Sequence, residues 1–250
     1  RELLYLGVSG DGDSASIGLG QFAHSMRRGV NMVYIVENNG VYGLTKGQFS
    51  ATADRGSTSK KGVVNPDAPV DLVGLALQLG ATYVARGFSG DKAQMVPLIK
   101  GAILHGGAAF IDIISPCVTF NNHVGSTRSY DYVREHNEAV SRIDFIDLAP
   151  EQIAEPVPGE VIEVPQPDGA MLRLRKLHTD YDPTDRVGAM NHVLAHQAQG
   201  EIVTGLLFVE AAAQDLHHAL GTTARPLNSL GEAELCPGAA TLAKLNLGLR

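Results

Sequence analysis

Several features are scarce in this sequence, and each scarcity excludes a class of protein. Only two of the 250 residues are cysteine, which excludes a disulfide framework and makes a reducing cytoplasm the expected compartment. No apolar run approaches the roughly 20 residues that span a bilayer, and no signal peptide is visible, so we expect no membrane partner. The net charge is −7 and no basic run stands out, which argues against nucleic-acid binding.

The sequence that remains has an ordinary globular balance, with 44% hydrophobic and 19% charged residues. Its length suits one large domain, or a domain of roughly 150 residues with an extension. The first residue is Arg1, and an apolar stretch that reads as a buried strand follows almost at once, at 3–9. A domain seldom opens in its central sheet, so we expect a further segment to precede this sequence.

The first 140 residues alternate apolar strands with helical stretches, which predicts a doubly wound α/β fold with a parallel sheet. The predicted strands are 3–9, 31–37, 82–86 and 109–114, and the predicted helices are 14–28, 70–79 and 91–105. Residues 39–68 lack periodicity and hold many Gly, Ser, Thr and Lys. We expect a long loop there, and loops of that length inside a compact domain are usually functional.

The sequence pattern changes near residue 145, where prolines divide the chain into short segments. Segments 160–164 and 171–177 flank a Pro-Asp-Gly turn and predict a hairpin. A helix at 186–199, a strand at 205–210 and a final helix at 238–247 follow. We therefore predict a cofactor-binding domain at 1–144 and a C-terminal extension or arm at 145–250.

Two polar motifs follow neighbouring predicted strands. Gly10-Asp11-Gly12-Asp13 comes directly after the first strand, and Asn38-Asn39 comes directly after the second. The interval between them suits one helix and one returning strand of a βαβ unit. Both motifs are therefore predicted at the carboxyl edge of adjacent parallel strands, where open α/β sheets bind ligands.

These residue types suit a diphosphate held through a hard divalent cation. Mg2+ prefers oxygen ligands in near-octahedral geometry, and Asp11, Asn39 and the backbone carbonyl of Val41 can supply three of them. Gly10 and Gly12 allow the backbone to approach phosphate closely, and the following helix directs free amides at the same anion.

A nicotinamide-binding fold is the nearest rival for this pattern. Its Gly-x-Gly-x-x-Gly fingerprint is not met, because Ala15 stands where the third glycine would fall. Asp11 and Asp13 would in addition repel a bare pyrophosphate. The spacing of the two motifs instead resembles the thiamine diphosphate-binding motif.

Among thiamine diphosphate proteins, the chain resembles the β subunits of 2-oxoacid:ferredoxin oxidoreductases, and most of all the 2-oxoglutarate type. The resemblance rests on four stretches: GDGDSASIG at 10–18, NGVYGLTKGQFS at 39–50, ISPC at 114–117 and YVREHN at 132–137. It implies that Asp11, Asn39 and Val41 ligate Mg2+, and that Gly12, Asp13 and Leu44 also belong to the cofactor site.

The same resemblance gives a role to Lys46. The loop departs there from the glycine-richer pyruvate type, and a cation could pair with the distal carboxylate of 2-oxoglutarate. The alternative is that Lys46 only caps a solvated loop.

The family also implies one [4Fe-4S] cluster held by four cysteines, of which Cys117 would be the last. The other three belong to an N-terminal segment that this sequence does not contain, and one thiolate cannot hold a cluster. We therefore expect the cluster only in a full-length protein. A simple buried thiol is the alternative for Cys117, and Cys236 is expected to be structural.

The expected activity is oxidative decarboxylation of a small 2-oxoacid to its acyl-coenzyme A, with electrons passed to ferredoxin. An α subunit is expected to supply the Glu that pairs with the aminopyrimidine ring, so no catalytic residue is assigned to this chain, which should not turn over alone. The alternatives are a pyruvate or branched-chain enzyme of the same family, a non-oxidative thiamine diphosphate decarboxylase or synthase, and a silent module that only binds a partner.

Overall fold

The computed structural model describes residues 3–146, 161–165, 171–176, 181–223, 225–236 and 238–249. The chain forms two compact units, Arg1–Leu216 and His217–Arg250. The second unit contains a short 3-10 turn, Leu227–Ser229, and two helices, α7 (Glu232–Leu235) and α8 (Gly238–Leu247). The bounds of α8 match the predicted final helix.

The first unit contains the strands and the longer helices. Its strands are β1 (Leu6–Gly10), β2 (Met32–Asn38), β3 (Val41–Tyr42), β4 (Gln48–Phe49), β5 (Tyr83–Phe88), β6 (Ala108–Ile114), β7 (Asn137–Ala139), β8 (Ser141–Ile146), β9 (Val161–Pro165), β10 (Met171–Lys176) and β11 (Ile202–Val209). Its helices are α1 (Leu19–Arg27), α2 (Leu72–Gln78), α3 (Lys92–Leu104), α4 (Tyr130–His136) and α5 (Arg186–Gln197), with a π-helical segment at Gly12–Ile17. A short helix, α6 (Leu216–Ala219), begins at the last residue of the first unit and continues into the second.

The main sheet has the strand order β1-β2-β6-β5-β11-β7. The first four strands are parallel, while β11 runs antiparallel to β5 and parallel to β7. The predicted α/β class is confirmed, with a sheet that is mostly rather than wholly parallel. A second sheet, β8-β10-β9, contains the predicted hairpin as the antiparallel pair β9 and β10, and its turn lies outside the described residues.

The inner strands of the main sheet, β2, β6, β5 and β11, are buried on both faces. Residues of α1, α2 and α5 pack on one face around Phe110 and Leu207. Residues of α3 and of the second sheet pack on the other face around Tyr83 and Ile111. Burial of this apolar surface at roughly 25 cal/mol per Å2 is the main force that holds the layers together.

The helices begin and end at the residue types that the sequence predicts. Asp91 accepts a hydrogen bond from the amide of Gln94 at the start of α3, and Gly80 after α2 adopts a φ of +90°. The prediction of a buried first strand is wrong. Leu6 and Val8 are 53% and 57% exposed, because β1 is an edge strand of the described sheet.

The first compact unit continues past the predicted domain boundary after residue 144. Strand β11 lies in the main sheet, and α5 packs against it in the same core. The described part of the predicted extension therefore contributes to both units. The division of function between residues 1–144 and 145–250 stays a prediction.

Candidate functional site

The two motifs predicted at the sheet edge do meet. Strands β1 and β2 are parallel, with Gly10 paired to Glu37, so the residues that follow each strand begin from the same edge. The backbone amide of Gly40 donates a hydrogen bond to Asp11 Oδ2 at 3.0 Å. Asp11 therefore contacts the residue next to Asn39, as a shared ligand site requires.

The Asp11 carboxylate is buried, with 1% of the residue's surface exposed. Its Oδ2 accepts from Gly40 and also from the hydroxyls of Ser50 and Thr52. Its Oδ1 is buried and has no hydrogen-bond partner among the described residues. Buried polar atoms are normally paired, so Oδ1 is the atom best suited to ligate a hard cation such as Mg2+.

The Asn39 turn is shaped by its own side chain. Asn39 Oδ1 accepts from the amide of Val41 at 3.0 Å, and Gly40 adopts the left-handed φ of +73° that such a turn requires. A carbonyl oxygen has two lone pairs, so Asn39 Oδ1 keeps one for a cation. These oxygen atoms suit a magnesium site, and the assignment of Asp11 and Asn39 as its ligands stays a prediction.

Gly12 lies directly under the ring of Tyr42. A Cβ added at Gly12 would be 2.5 Å from Tyr42 Cε1, and the Tyr42 hydroxyl donates to the Gly12 carbonyl at 3.4 Å. No side chain other than hydrogen fits there without moving the ring. The close contact ties the first motif to the loop that follows the second.

We expect Gly12→Ala to destabilise the protein by about 1–3 kcal/mol, because the added methyl forces Tyr42 or the backbone to shift. The measurement is the free energy of unfolding in urea. Gly10→Ala is the matched control, since a Cβ at Gly10 meets no atom within 4 Å. Equal losses in the two variants would contradict the steric explanation.

Three other predicted site residues lie on the surface. Asp13 is exposed on the π-helical segment, Leu44 is 99% exposed, and Lys46 is exposed on the loop between β3 and β4. Lys46 adopts a φ of +78° and is the non-glycine residue with positive φ in the described part of the chain. No contact joins these side chains to Asp11, so their roles stay predictions.

Cys117 lies beside the same loop. It is half-buried, and a Cβ added at Gly43 would be 3.9 Å from its Sγ. Cys236, the other cysteine, is exposed and belongs to the second compact unit. Two cysteines do not fit a cluster with four thiolate ligands. The described residues also contain no group of three or more His, Cys, Asp or Glu that could hold a metal ion.

Sequence reasoning missed the two hydroxyls that hold Asp11. Ser50 and Thr52 are buried in the long loop after β4, and their side chains are 3.0 Å apart. Period-two alternation could not have indicated them, because Ser50 is followed by a turn at 51–52 in which the Ala53 amide donates to the Ser50 carbonyl.

A buried ion pair, also missed, extends from the site into the sheet. Thr52 Oγ1 lies 3.0 Å from Asn38 Oδ1, and Asn38 Nδ2 donates to Asp112 Oδ1 at 3.1 Å. Arg86 Nε donates to Asp112 Oδ2 at 2.8 Å, and Arg86 Nη2 donates to Asp71 Oδ1 at 2.6 Å. Burial lowers the pKa of Arg86, but the two carboxylates outweigh it and hold that pKa above its ordinary value.

No described helix is long and apolar enough to cross a membrane. Residues 4–113 match the family described as "Thiamine pyrophosphate enzyme, C-terminal TPP binding domain". The matched residues include both motifs and the helices α1, α2 and α3.

Two named relatives are similar to a longer part of the chain than the family match covers. The chain is 39% identical over 157 residues to the 2-oxoacid:ferredoxin oxidoreductase subunit beta of a Sulfolobus species, which covers 62% of this chain and 51% of the relative. It is 32% identical over 169 residues to the 2-oxoglutarate synthase subunit KorB of Methanocaldococcus jannaschii, covering 64% and 61%. The chain thus spans about half to three fifths of these two relatives.

A solved structure is similar over more of the chain. The 2-oxoglutarate:ferredoxin oxidoreductase from Magnetococcus marinus, with 2-oxoglutarate, coenzyme A and succinyl-CoA bound, superposes with a TM-score of 0.61 at 32% identity. The superposition covers 88% of this chain and 63% of that chain. The resemblance that the sequence motifs indicated is therefore confirmed.

Proposed function

Because this chain is related to the β subunits of 2-oxoacid:ferredoxin oxidoreductases, we propose that it provides the diphosphate and metal half of a thiamine diphosphate site. Asp11, Asn39 and the Val41 carbonyl would hold Mg2+, and Gly12, Asp13 and Leu44 would line the cofactor. The complete enzyme would convert a 2-oxoacid to its acyl-coenzyme A and reduce ferredoxin. A reducing cytoplasm is the proposed compartment, since both cysteines are free.

The main support for this proposal is the unequal hydrogen bonding of the two Asp11 carboxylate oxygens. One oxygen is held by three donors, and the other is buried without a partner among the described residues. Such a group costs free energy unless a ligand completes its shell. A cation that also binds the diphosphate would complete it.

The chain's own residues bind and orient the cofactor, while the chemistry comes from the cofactor and a partner. Thiamine diphosphate, when bound, supplies a thiazolium ring that accepts the electrons released on decarboxylation. Ser50 and Thr52 fix the rotamer of Asp11, and so fix where the diphosphate is anchored. We propose that an α subunit supplies the Glu for the aminopyrimidine ring, because Glu37, on β2, is exposed and its strand ends in the metal motif.

The direct test is isothermal titration of the chain with thiamine diphosphate, with and without Mg2+. The proposal expects a binding heat that requires Mg2+, and a silent module would give none. Turnover is then measured after mixing with the α subunit. A reaction that releases an aldehyde and reduces no ferredoxin would favour the non-oxidative alternative.

We propose 2-oxoglutarate as the substrate, with Lys46 as the residue that distinguishes it from pyruvate or a branched-chain acid. Lysine tolerates a φ of +78° poorly, at a cost of about 1 kcal/mol, and strained backbone of this kind is concentrated at functional sites. Lys46 is also exposed, and no ion pair of the described residues involves it. Its ammonium group is therefore available to a dicarboxylate.

We expect Lys46→Asn to lower kcat/KM for 2-oxoglutarate by about 10-fold or more and to leave pyruvate within about threefold, since one charge-assisted contact is lost. Asparagine tolerates the left-handed backbone, so the loop keeps its shape. Initial rates of ferredoxin reduction in the complex with the α subunit give both constants. Lys61→Asn, which changes an exposed lysine of the same long loop, is the control. Equal losses of kcat/KM on both substrates in Lys46→Asn would contradict a contact between Lys46 and the distal carboxylate.

A further inference from the structure

Asn121 makes the one side-chain hydrogen bond, within the described residues, to the backbone carbonyl of Asn39. Its Nδ2 donates to Asn39 O at 2.7 Å, and the residue is only 2% exposed. A Cβ at Gly40 would lie 3.1 Å from the same Nδ2, so the amide also packs against the Gly40 turn. Asn121 therefore braces, from a distant loop, the turn whose amide holds Asp11.

The bracing loop is itself fixed at both ends. The amide of Asn121 donates to the Cys117 carbonyl at 2.8 Å, and the Ser126 hydroxyl donates to the Asn121 carbonyl at 3.0 Å. The side-chain Oδ1 of Asn121 is buried without a partner among the described residues. A buried amide with one group satisfied and one unsatisfied is costly, which a purely packing role does not explain.

We propose that Asn121 is a positioning residue for the metal site, holding the Asn39 turn so that the Asn39 side chain meets a cation bound to Asp11. This inference rests on the proposed function of the Asp11 and Asn39 edge. Partners of this kind, one step removed from the metal, typically change metal affinity by about 10- to 100-fold when lost. The effect should fall on the cation more than on the diphosphate, because Asn121 acts through a metal ligand.

The test compares Asn121→Ala with Asn122→Ala. Asn122 is the adjacent exposed residue, and it accepts from the Tyr130 amide without contacting the Asn39 turn. Titration calorimetry of thiamine diphosphate binding at varied Mg2+ gives the cation concentration for half-saturation. We expect this value to rise about 10-fold or more in Asn121→Ala and to change less than about twofold in Asn122→Ala.

A cation substitution separates positioning from general damage. Ca2+ accepts longer and less regular ligand distances than Mg2+, so a displaced Asn39 should cost Ca2+ less affinity than Mg2+. A variant that is merely unstable would lose both cations equally and melt earlier. Asn121→Leu, which keeps the branched shape, takes the place of the alanine variant if that variant fails to fold.

The outcomes distinguish the two proposals. No Mg2+-dependent binding by the unaltered chain would overturn the proposed function, and this inference with it. Binding by the unaltered chain with equal Mg2+ dependence in Asn121→Ala and Asn122→Ala would overturn the positioning role alone. A Mg2+ loss confined to the Asn121 variants, and smaller with Ca2+, would support it.

Discussion

Replacing Asp11 with asparagine is expected to remove Mg2+-dependent binding of thiamine diphosphate, with a loss of more than about 100-fold in affinity. The substitution keeps the shape of the side chain and one acceptor oxygen for Gly40, Ser50 and Thr52. It removes the negative charge that a hard cation requires. Isothermal titration at saturating Mg2+ measures the loss directly.

The control for this variant is Asp131→Asn, which makes the same change on the surface. Asp131 lies on α4 with its side chain 92% exposed. The control should bind like the unaltered protein, since a distant exposed charge is screened by salt. Undiminished binding by Asp11→Asn would show that the diphosphate is anchored elsewhere, and the proposed metal site would then be wrong.

The position of Asp11 and Asn39 was predictable because each motif directly follows a strand of a parallel pair. Strand pairing then brings both to one edge, whatever the rest of the fold does. The Ser50 and Thr52 contacts were not predictable in the same way. Their loop has no periodicity, so its path depends on contacts that only the folded chain contains.

The burial of Asp112 could be predicted from the sequence, but its partner could not. A lone aspartate in an otherwise apolar strand signals a buried charge that needs a cation. Its partner follows only from the register, which places Arg86 of β5 directly beside Asp112 of β6. Likewise, nothing local to β11 indicates that it pairs with β5, far away in the sequence.

The buried pair also predicts the largest effect on stability. Arg86→Met should lower the free energy of unfolding by about 3–5 kcal/mol, because it leaves the fully buried Asp112 carboxylate without its cation. Urea denaturation measures this as a lower midpoint at an unchanged slope. Arg134→Met is the control. Its ion pair with Asp131 is exposed and 3.9 Å long, so its loss should cost less than about 1 kcal/mol.

The double variant Arg86→Met/Asp112→Asn separates charge burial from packing. If an uncompensated carboxylate is the cause, removing its charge should recover a large part of the loss, since the cost belongs to the unpaired ion. Asn38 would still donate to the side-chain oxygen at position 112, and Thr52 would keep its place beside Asp11. Metal-dependent cofactor binding should then recover together with stability. A double variant as unstable as Arg86→Met would instead show that Arg86 acts through its packing or its bond to Asp71.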